Sequence, residues 1–171
     1  MPHVPTPWTA LASRAAHVVL ARKDMALDDV ANAFRRRGFD ESTRSVDGKV
    51  QRGSFQCAFF LQLLHVCDDE MPKEWLDCFA RTSDWFAVSA AIYLQELASI
   101  TPGGAAGVAR IMAEQEGPFA QGAQSAELLG GTFSFARLIM LACDAPMPAL
   151  DRFLDRKDVI AAQDGRLNSS Q

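Results

Sequence analysis

The sequence lacks the patterns that define several large classes of protein. Its uninterrupted apolar stretches, such as residues 58–61, are only a few residues long, whereas a membrane-spanning helix needs about 20, so no membrane span is expected. Its four cysteines form no Cys-x-x-Cys pair and its three histidines are scattered. Because a zinc site needs about four ligands at recognisable spacing, we predict no metal site, no cofactor and no disulfide.

Signals of catalysis and export are also missing. The chain has no glycine-rich phosphate loop and no nucleophile motif. The acidic run at residues 68–70 is interpreted as a polar turn, because no partner is placed by the sequence to work with it. Residues 1–7 hold three prolines and lack the regions of a secretory signal. We therefore expect a cytoplasmic protein that is not an enzyme and begins with a flexible arm.

The composition that remains is that of a folded chain. The 171 residues are 49% apolar and include eleven Phe and three Trp. Such a chain can bury a substantial core as one domain or as two small ones.

Three short blocks recur in the same order along the chain. At offsets of 78, 76 and 74, 10 of their 17 positions are identical. The blocks start at Gly53 and Gly131, at Cys67 and Cys143, and at Trp75 and Ala149. An ordered series at nearly constant spacing indicates an internal repeat, so the sequence predicts a degenerate tandem duplication.

Each copy has the periodicity of helices. In the first, Leu11, Ala15 and Val18 follow the spacing of one helical face, and no alternating strand pattern stands out. The predicted class is therefore all-α, with two tandem, diverged five-helix repeats of helix-turn-helix type. The predicted order is the arm at 1–7, the first repeat at 8–82, the second at 83–154 and a polar C-terminal tail at 155–171.

The first copy resembles two families over residues 8–67. The segments MALDDVA (residues 25–31) and VDGKVQRG (46–53) resemble the second and recognition helices of phage-repressor (Cro/cI-like) DNA-binding domains. The segments KVQRGSF (49–55) and AFFLQ (58–62) are similar to a family of short bacterial helical domains of unknown function. The phage-repressor resemblance implies a helix that reads the major groove and a homodimer on half-sites about 34 Å apart.

Charge is distributed unequally between the copies. The whole chain has a net charge of -4, but residues 8–67 hold nine basic and six acidic residues, whereas residues 85–143 hold two and four. Lys and Arg supply the sequence-independent affinity for DNA, so the first copy is the candidate DNA-binding unit. We interpret the second copy as a scaffold or dimerisation unit. Packing of the second copy against the first in a pseudo-symmetric pair would produce the same loss of basic residues.

The candidate contact residues lie on the second and third predicted helices. With Val46 and Val50 facing the core, we predict that Arg44, Ser45 and Lys49 read base edges. The predicted phosphate contacts are Arg35, Arg36, Arg37 and Arg52. The three consecutive arginines have a second interpretation, because cations at a helix C-terminus complement its dipole.

The sequence therefore favours a sequence-specific DNA-binding transcriptional regulator, a repressor, whose partner is double-stranded DNA. A protein-interaction module on the same scaffold, such as an adaptor, an antitoxin or an immunity-like binder, is the alternative. The net negative charge favours the alternative, and the unequal charge of the two copies favours DNA.

Overall fold

The computed structural model describes residues 5–115 and 122–168, so residues 1–4 of the predicted arm lie outside the described part. The described residues contain α-helices and no β-strand, which confirms the all-α class. The helices are α1 (Pro7–Arg22), α2 (Leu27–Arg36), α3 (Thr43–Arg52), α4 (Cys57–Val66), α5 (Leu76–Phe79), α6 (Trp85–Ile100), α7 (Gly104–Gln115), α8 (Gly122–Gly130), α9 (Phe135–Leu141) and α10 (Arg156–Asn168).

The first three helices begin at local capping interactions. Thr6 caps α1, and its backbone N–H and side chain exchange hydrogen bonds with Thr9. An aspartate just before an apolar helical segment is a typical N-cap, yet Asp24 does not cap α2: it has a φ of +50°, and Ala26 is the N-cap residue. The orphan N–H of Ala26 donates instead to the carboxylate of Asp29, at 3.2 Å.

The third helix begins and ends at residues with strong local preferences for helix termini. The Ser42 hydroxyl accepts a hydrogen bond from the Ser45 N–H at 3.1 Å. At the other end Gly53 adopts a φ of +62°, which terminates the helix at low conformational cost. Val46 and Val50 are completely buried, so α3 lies with its apolar face on the core.

Helices α4 and α9 start later than their sequence suggests. Serine and threonine at positions 54 and 132 indicate earlier starts, yet the helices begin at Cys57 and Phe135. The preceding residues are used in an antiparallel bridge. The Cys57 N–H donates to the Phe133 carbonyl and the Phe135 N–H donates to the Phe55 carbonyl, each at 3.0 Å. The local sequence pattern cannot predict a contact between residues that are so far apart in the sequence.

Corresponding elements of the two copies occur at a nearly constant offset. Helices α1 and α6 each have 16 residues and start 78 positions apart. Helices α4 and α9 also start 78 positions apart. Gly53 and Gly131, also 78 apart, both have positive φ. A Cβ on either glycine would lie 1.8 Å from a backbone oxygen of the same copy's first helix, that of Thr9 or of Phe86. The duplication stays a prediction, which these correspondences support.

The two copies share one hydrophobic core. Helix α1 contacts α9 and helix α4 contacts α6, so each copy packs its first helix on the other copy's central helix. The rings of Phe60 and Phe135, one from each copy, stack with their centroids 4.0 Å apart. The core is a single cluster that runs from Trp8 to Ala162.

The segment interpreted from the sequence as a polar tail contains helix α10, which packs on α1. Val159 and Ala162 are buried at this contact. The Arg14 guanidinium pairs with the Asp158 carboxylate at 2.5 Å. Within the described residues, no helix has both the length and the hydropathy to cross a bilayer.

Candidate nucleic-acid interface

The outer surface of α3 is defined by its two buried valines. At about 100° per residue, Gly48 lies opposite the midpoint of Val46 and Val50, and Arg44 and Arg52 lie one turn to either side of Gly48. The three residues therefore form a stripe at positions i, i+4 and i+8. We call this stripe, Arg44, Gly48 and Arg52, the α3 outer face.

Both arginines of the α3 outer face are exposed. Neither makes a hydrogen bond or an ion pair with any residue in the described ranges. The Arg52 guanidinium folds back along the helix, so that a Cβ on Gly48 would lie 2.9 Å from its Nη1. Because that guanidinium is the end of a flexible chain, it can move aside and expose a flat strip of backbone.

The other two predicted base readers, Ser45 and Lys49, are held by Glu41. The Ser45 hydroxyl donates to Glu41 Oε2 at 2.6 Å, and the Lys49 ammonium pairs with Glu41 Oε1. The Lys49 nitrogen also lies 4.9 Å from the centre of the Phe59 ring. These side chains are half-buried on the flank of α3. The spacing of residues 41, 45 and 49 is the signal that could have revealed this arrangement.

The three arginines at the end of α2 have different surroundings. Arg35 donates to the Asn32 side chain at 2.5 Å, and Arg36 is exposed with no hydrogen bond or ion pair to the described residues. Arg37 donates to Nε2 of His65 at 2.9 Å and pairs with Asp68 at 2.7 Å. Of the three, Arg36 is thus the arginine available to an external phosphate without breaking a contact.

The contact with Arg37 fixes the state of His65. Burial and the positive charge of Arg37 lower the pKa of His65. The neutral imidazole can accept the hydrogen bond from Arg37, and a protonated ring could not. His65 therefore orients Arg37 toward α4.

A groove beside the α3 outer face extends it toward the start of the chain. This cavity of about 470 Å³ lies between α3 and the first half of α1, and Thr9, Ser13, Gln51 and Arg52 are among its lining residues. Gln51 is exposed and belongs to the same outer side of α3, although no motif in the sequence marks it. The groove gives the interface polar hydroxyl and amide groups next to its arginines.

The second copy has different chemistry at the corresponding positions. At an offset of 78, Arg44, Lys49 and Arg52 correspond to Gly122, Glu127 and Gly130. Gln51 corresponds to Leu129, which is 52% exposed. The second copy thus replaces cationic and amide groups by glycine, an acid and an exposed apolar side chain.

A larger cavity, of about 800 Å³, lies where the first copy joins the second. The Trp85 and Phe79 rings form part of its wall, and the acidic run at residues 68–70 forms its rim. Asp69 is buried and pairs with Arg22 at 2.8 Å and with Arg152 at 3.5 Å. The Asp69 carboxylate thus joins an arginine from each copy, since a buried charge needs partners.

Comparison with known proteins relates part of the chain to a family model. Residues 8–70 match the model of a family described as a domain of unknown function (DUF6471). The match confirms the resemblance of the first copy to a domain of unknown function and covers a little over a third of the chain. No curated protein and no solved structure matches the chain, so the resemblance to phage-repressor domains rests on the sequence motifs alone.

Proposed function

We propose that the protein is a cytoplasmic, sequence-specific DNA-binding transcriptional regulator that acts as a repressor. The observation that carries this proposal is the α3 outer face, whose two arginines are exposed and unpaired among the described residues. An exposed helix backed by a short turn and a preceding helix has the form of a DNA-reading unit.

The roles of the basic residues follow from their surroundings. Arg44 is suited to a base edge, because a free guanidinium forms paired hydrogen bonds with guanine in the major groove. Arg36 and Arg52 are suited to phosphates, and Arg35 could join them by giving up its contact with Asn32. Lys49 and Ser45 can reach DNA only by giving up Glu41, so we assign them a smaller share of the recognition than the sequence suggests.

The test starts from duplexes selected from a random pool at about 100 mM salt. On the selected duplex, Arg44→Ala should weaken binding by about 5- to 150-fold and relax the preference at one position. Arg36→Ala should weaken all sequences alike and reduce the slope of log K against log salt by about one. Arg110→Ala, which removes an exposed arginine from α7 of the second copy, is the matched control and should bind as the parent does.

One result would count against the proposal, and another against the roles given to its residues. A well-folded protein that enriches no duplex would remove its basis. A Lys49→Ala variant that loses as much affinity as Arg44→Ala, at unchanged thermal stability, would show that the flank of α3 reads the bases and that the Glu41 contacts open on binding.

A protein-interaction module is the second candidate, favoured by the exposed apolar residues of the second copy. Phe86, Ile111 and Leu129 are each at least 39% exposed, and burial of such apolar side chains against a protein partner would be favourable. For this candidate, Leu129→Asp should abolish co-purification of a protein partner while Arg44→Ala leaves it intact. The opposite pattern would exclude it.

A further inference from the structure

We propose that the second copy occupies the place of a partner subunit, so that one chain is the complete DNA-binding unit and its target site has no dyad symmetry. Binding of DNA by a single chain rests on the proposed function. The pairing of the two copies does not, because it follows from contacts inside the chain.

The bridge between the copies is reciprocal. Phe55 accepts a hydrogen bond from Phe135, and Phe133 accepts one from Cys57. Since Phe133 is the counterpart of Phe55, and Phe135 that of Cys57, each copy offers the same donor and acceptor to the other. Any antiparallel bridge exchanges hydrogen bonds in this way, but here the bridged residues are also counterparts at an offset of 78. Contact between equivalent residues is what two identical subunits form around a two-fold axis. The axis passes between Gln56 and Ser134, which pair with each other.

The helices around this axis repeat the pattern. The contact of α1 with α9 has its counterpart in the contact of α6 with α4. The short 3-10 turns at Lys73–Trp75 and Pro148–Leu150, which are also counterparts, contact each other. One local two-fold axis thus relates the contacts of several elements, as it would in a dimer of a single-copy protein.

The paired surface is closed to another chain. Phe55, Phe60, Phe133 and Phe135 lie at the bridge and are at most 2% exposed. A second molecule could use this surface only by displacing these buried core residues. The chain therefore already holds the pair that a helix-turn-helix dimer would form between subunits.

The two copies differ on the side that is proposed to face DNA. Helices α3 and α8 end at Arg52 and Gly130, each four residues before the axis residues Gln56 and Ser134. The two helices therefore approach the axis at equivalent positions, but only α3 carries the arginines. Because phosphate neutralisation needs Lys or Arg, one copy binds DNA and the other supports it.

The first experiment measures the mass of the full chain in solution and of its complex with the selected duplex. We expect the free protein at 18.7 kDa, one chain per duplex and an enriched motif without a palindrome. A free protein of twice that mass, or a palindromic motif bound by two chains, would overturn the inference. The mass of the free protein tests the pairing of the copies alone. Failure to enrich any motif would overturn both the binding of DNA by a single chain and the proposed function.

The second experiment gives the second copy the charges of the first. The variant Gly122→Arg, Glu127→Lys, Gly130→Arg should bind more tightly, show a steeper salt dependence by about two to three, and select a more symmetric motif. This variant raises the net charge by four. The matched control, Asp77→Lys with Asp151→Lys, also raises the net charge by four but at exposed positions outside α8. Equal gains for the two variants would show that total charge, and not the position of α8, decides binding, and would overturn the assignment of α8.

Discussion

Gly53 gives the sharpest test of how the copies are built, because two separate costs oppose a side chain there. Its φ of +62° is unfavourable for an L residue, at about 1–2 kcal/mol. A Cβ would also lie 1.8 Å from the Thr9 carbonyl oxygen and 2.8 Å from the Ser13 nitrogen. These are backbone atoms of α1, so only displacement of the helix relieves the overlap, at about 1–3 kcal/mol. We expect Gly53→Ala to cost about 2–5 kcal/mol of the free energy of unfolding.

Two other glycines separate these costs. Gly38 has a φ of +84°, and no atom of the described residues lies within 4 Å of the position of a Cβ, so Gly38→Ala should show the conformational cost alone. Gly48 is helical, and the atoms nearest to its Cβ would be those of the movable Arg52 guanidinium; Gly48→Ala should therefore stabilise the protein by up to about 1 kcal/mol.

Urea unfolding followed by circular dichroism measures these free energies, with the slope against urea as a check that the unfolded states are alike. Gly131→Ala should behave as Gly53→Ala does, because its Cβ would lie 1.8 Å from the Phe86 carbonyl oxygen. If Gly53→Ala costs no more than Gly38→Ala, the close packing of α1 on the end of α3 is refuted.

Two further predictions concern polar groups near the core. Trp75→Phe should cost about 1.5–3 kcal/mol more of the free energy of unfolding in urea than Trp8→Phe. The Trp75 N–H donates to the Glu96 carboxylate at 2.8 Å, whereas the buried Trp8 N–H has no partner in the described part of the chain. Equal costs for the two substitutions would contradict this prediction. The lowered pKa of His65 means that the unfolded chain takes up more protons than the native protein as the pH falls below the ordinary histidine value, so native stability should decline there. Replacement by Gln should make the decline between pH 7 and pH 5 shallower, and identical profiles would show that the contact with Arg37 leaves this titration unchanged.

Local chemistry made much of the fold predictable. The ends of α3 follow from a serine whose hydroxyl caps the first turn and a glycine that tolerates positive φ. The burial of Val46 and Val50 follows from their spacing of one turn. These features depend on residues within a few positions of each other, so the sequence alone contains them.

The candidate interface was predicted in part. Arg44 and Arg52 lie exposed on α3, as their position relative to the buried valines predicts. The engagement of Lys49 by Glu41 depends on how the turn before α3 is folded, and the contact of Arg37 with His65 joins residues 28 positions apart. Charge counts cannot distinguish a free cation from one that is already paired.

The sequence by itself determined that the chain is helical, that its blocks recur about 78 residues apart, and that the basic residues are concentrated in the first copy. Tertiary structure alone decided that the two copies exchange hydrogen bonds between Phe55 and Phe135 and between Cys57 and Phe133, and thereby where α4 and α9 begin. The physical reason is that helix periodicity and capping are short-range, whereas an extended segment becomes stable only when a distant segment supplies its hydrogen-bond partners.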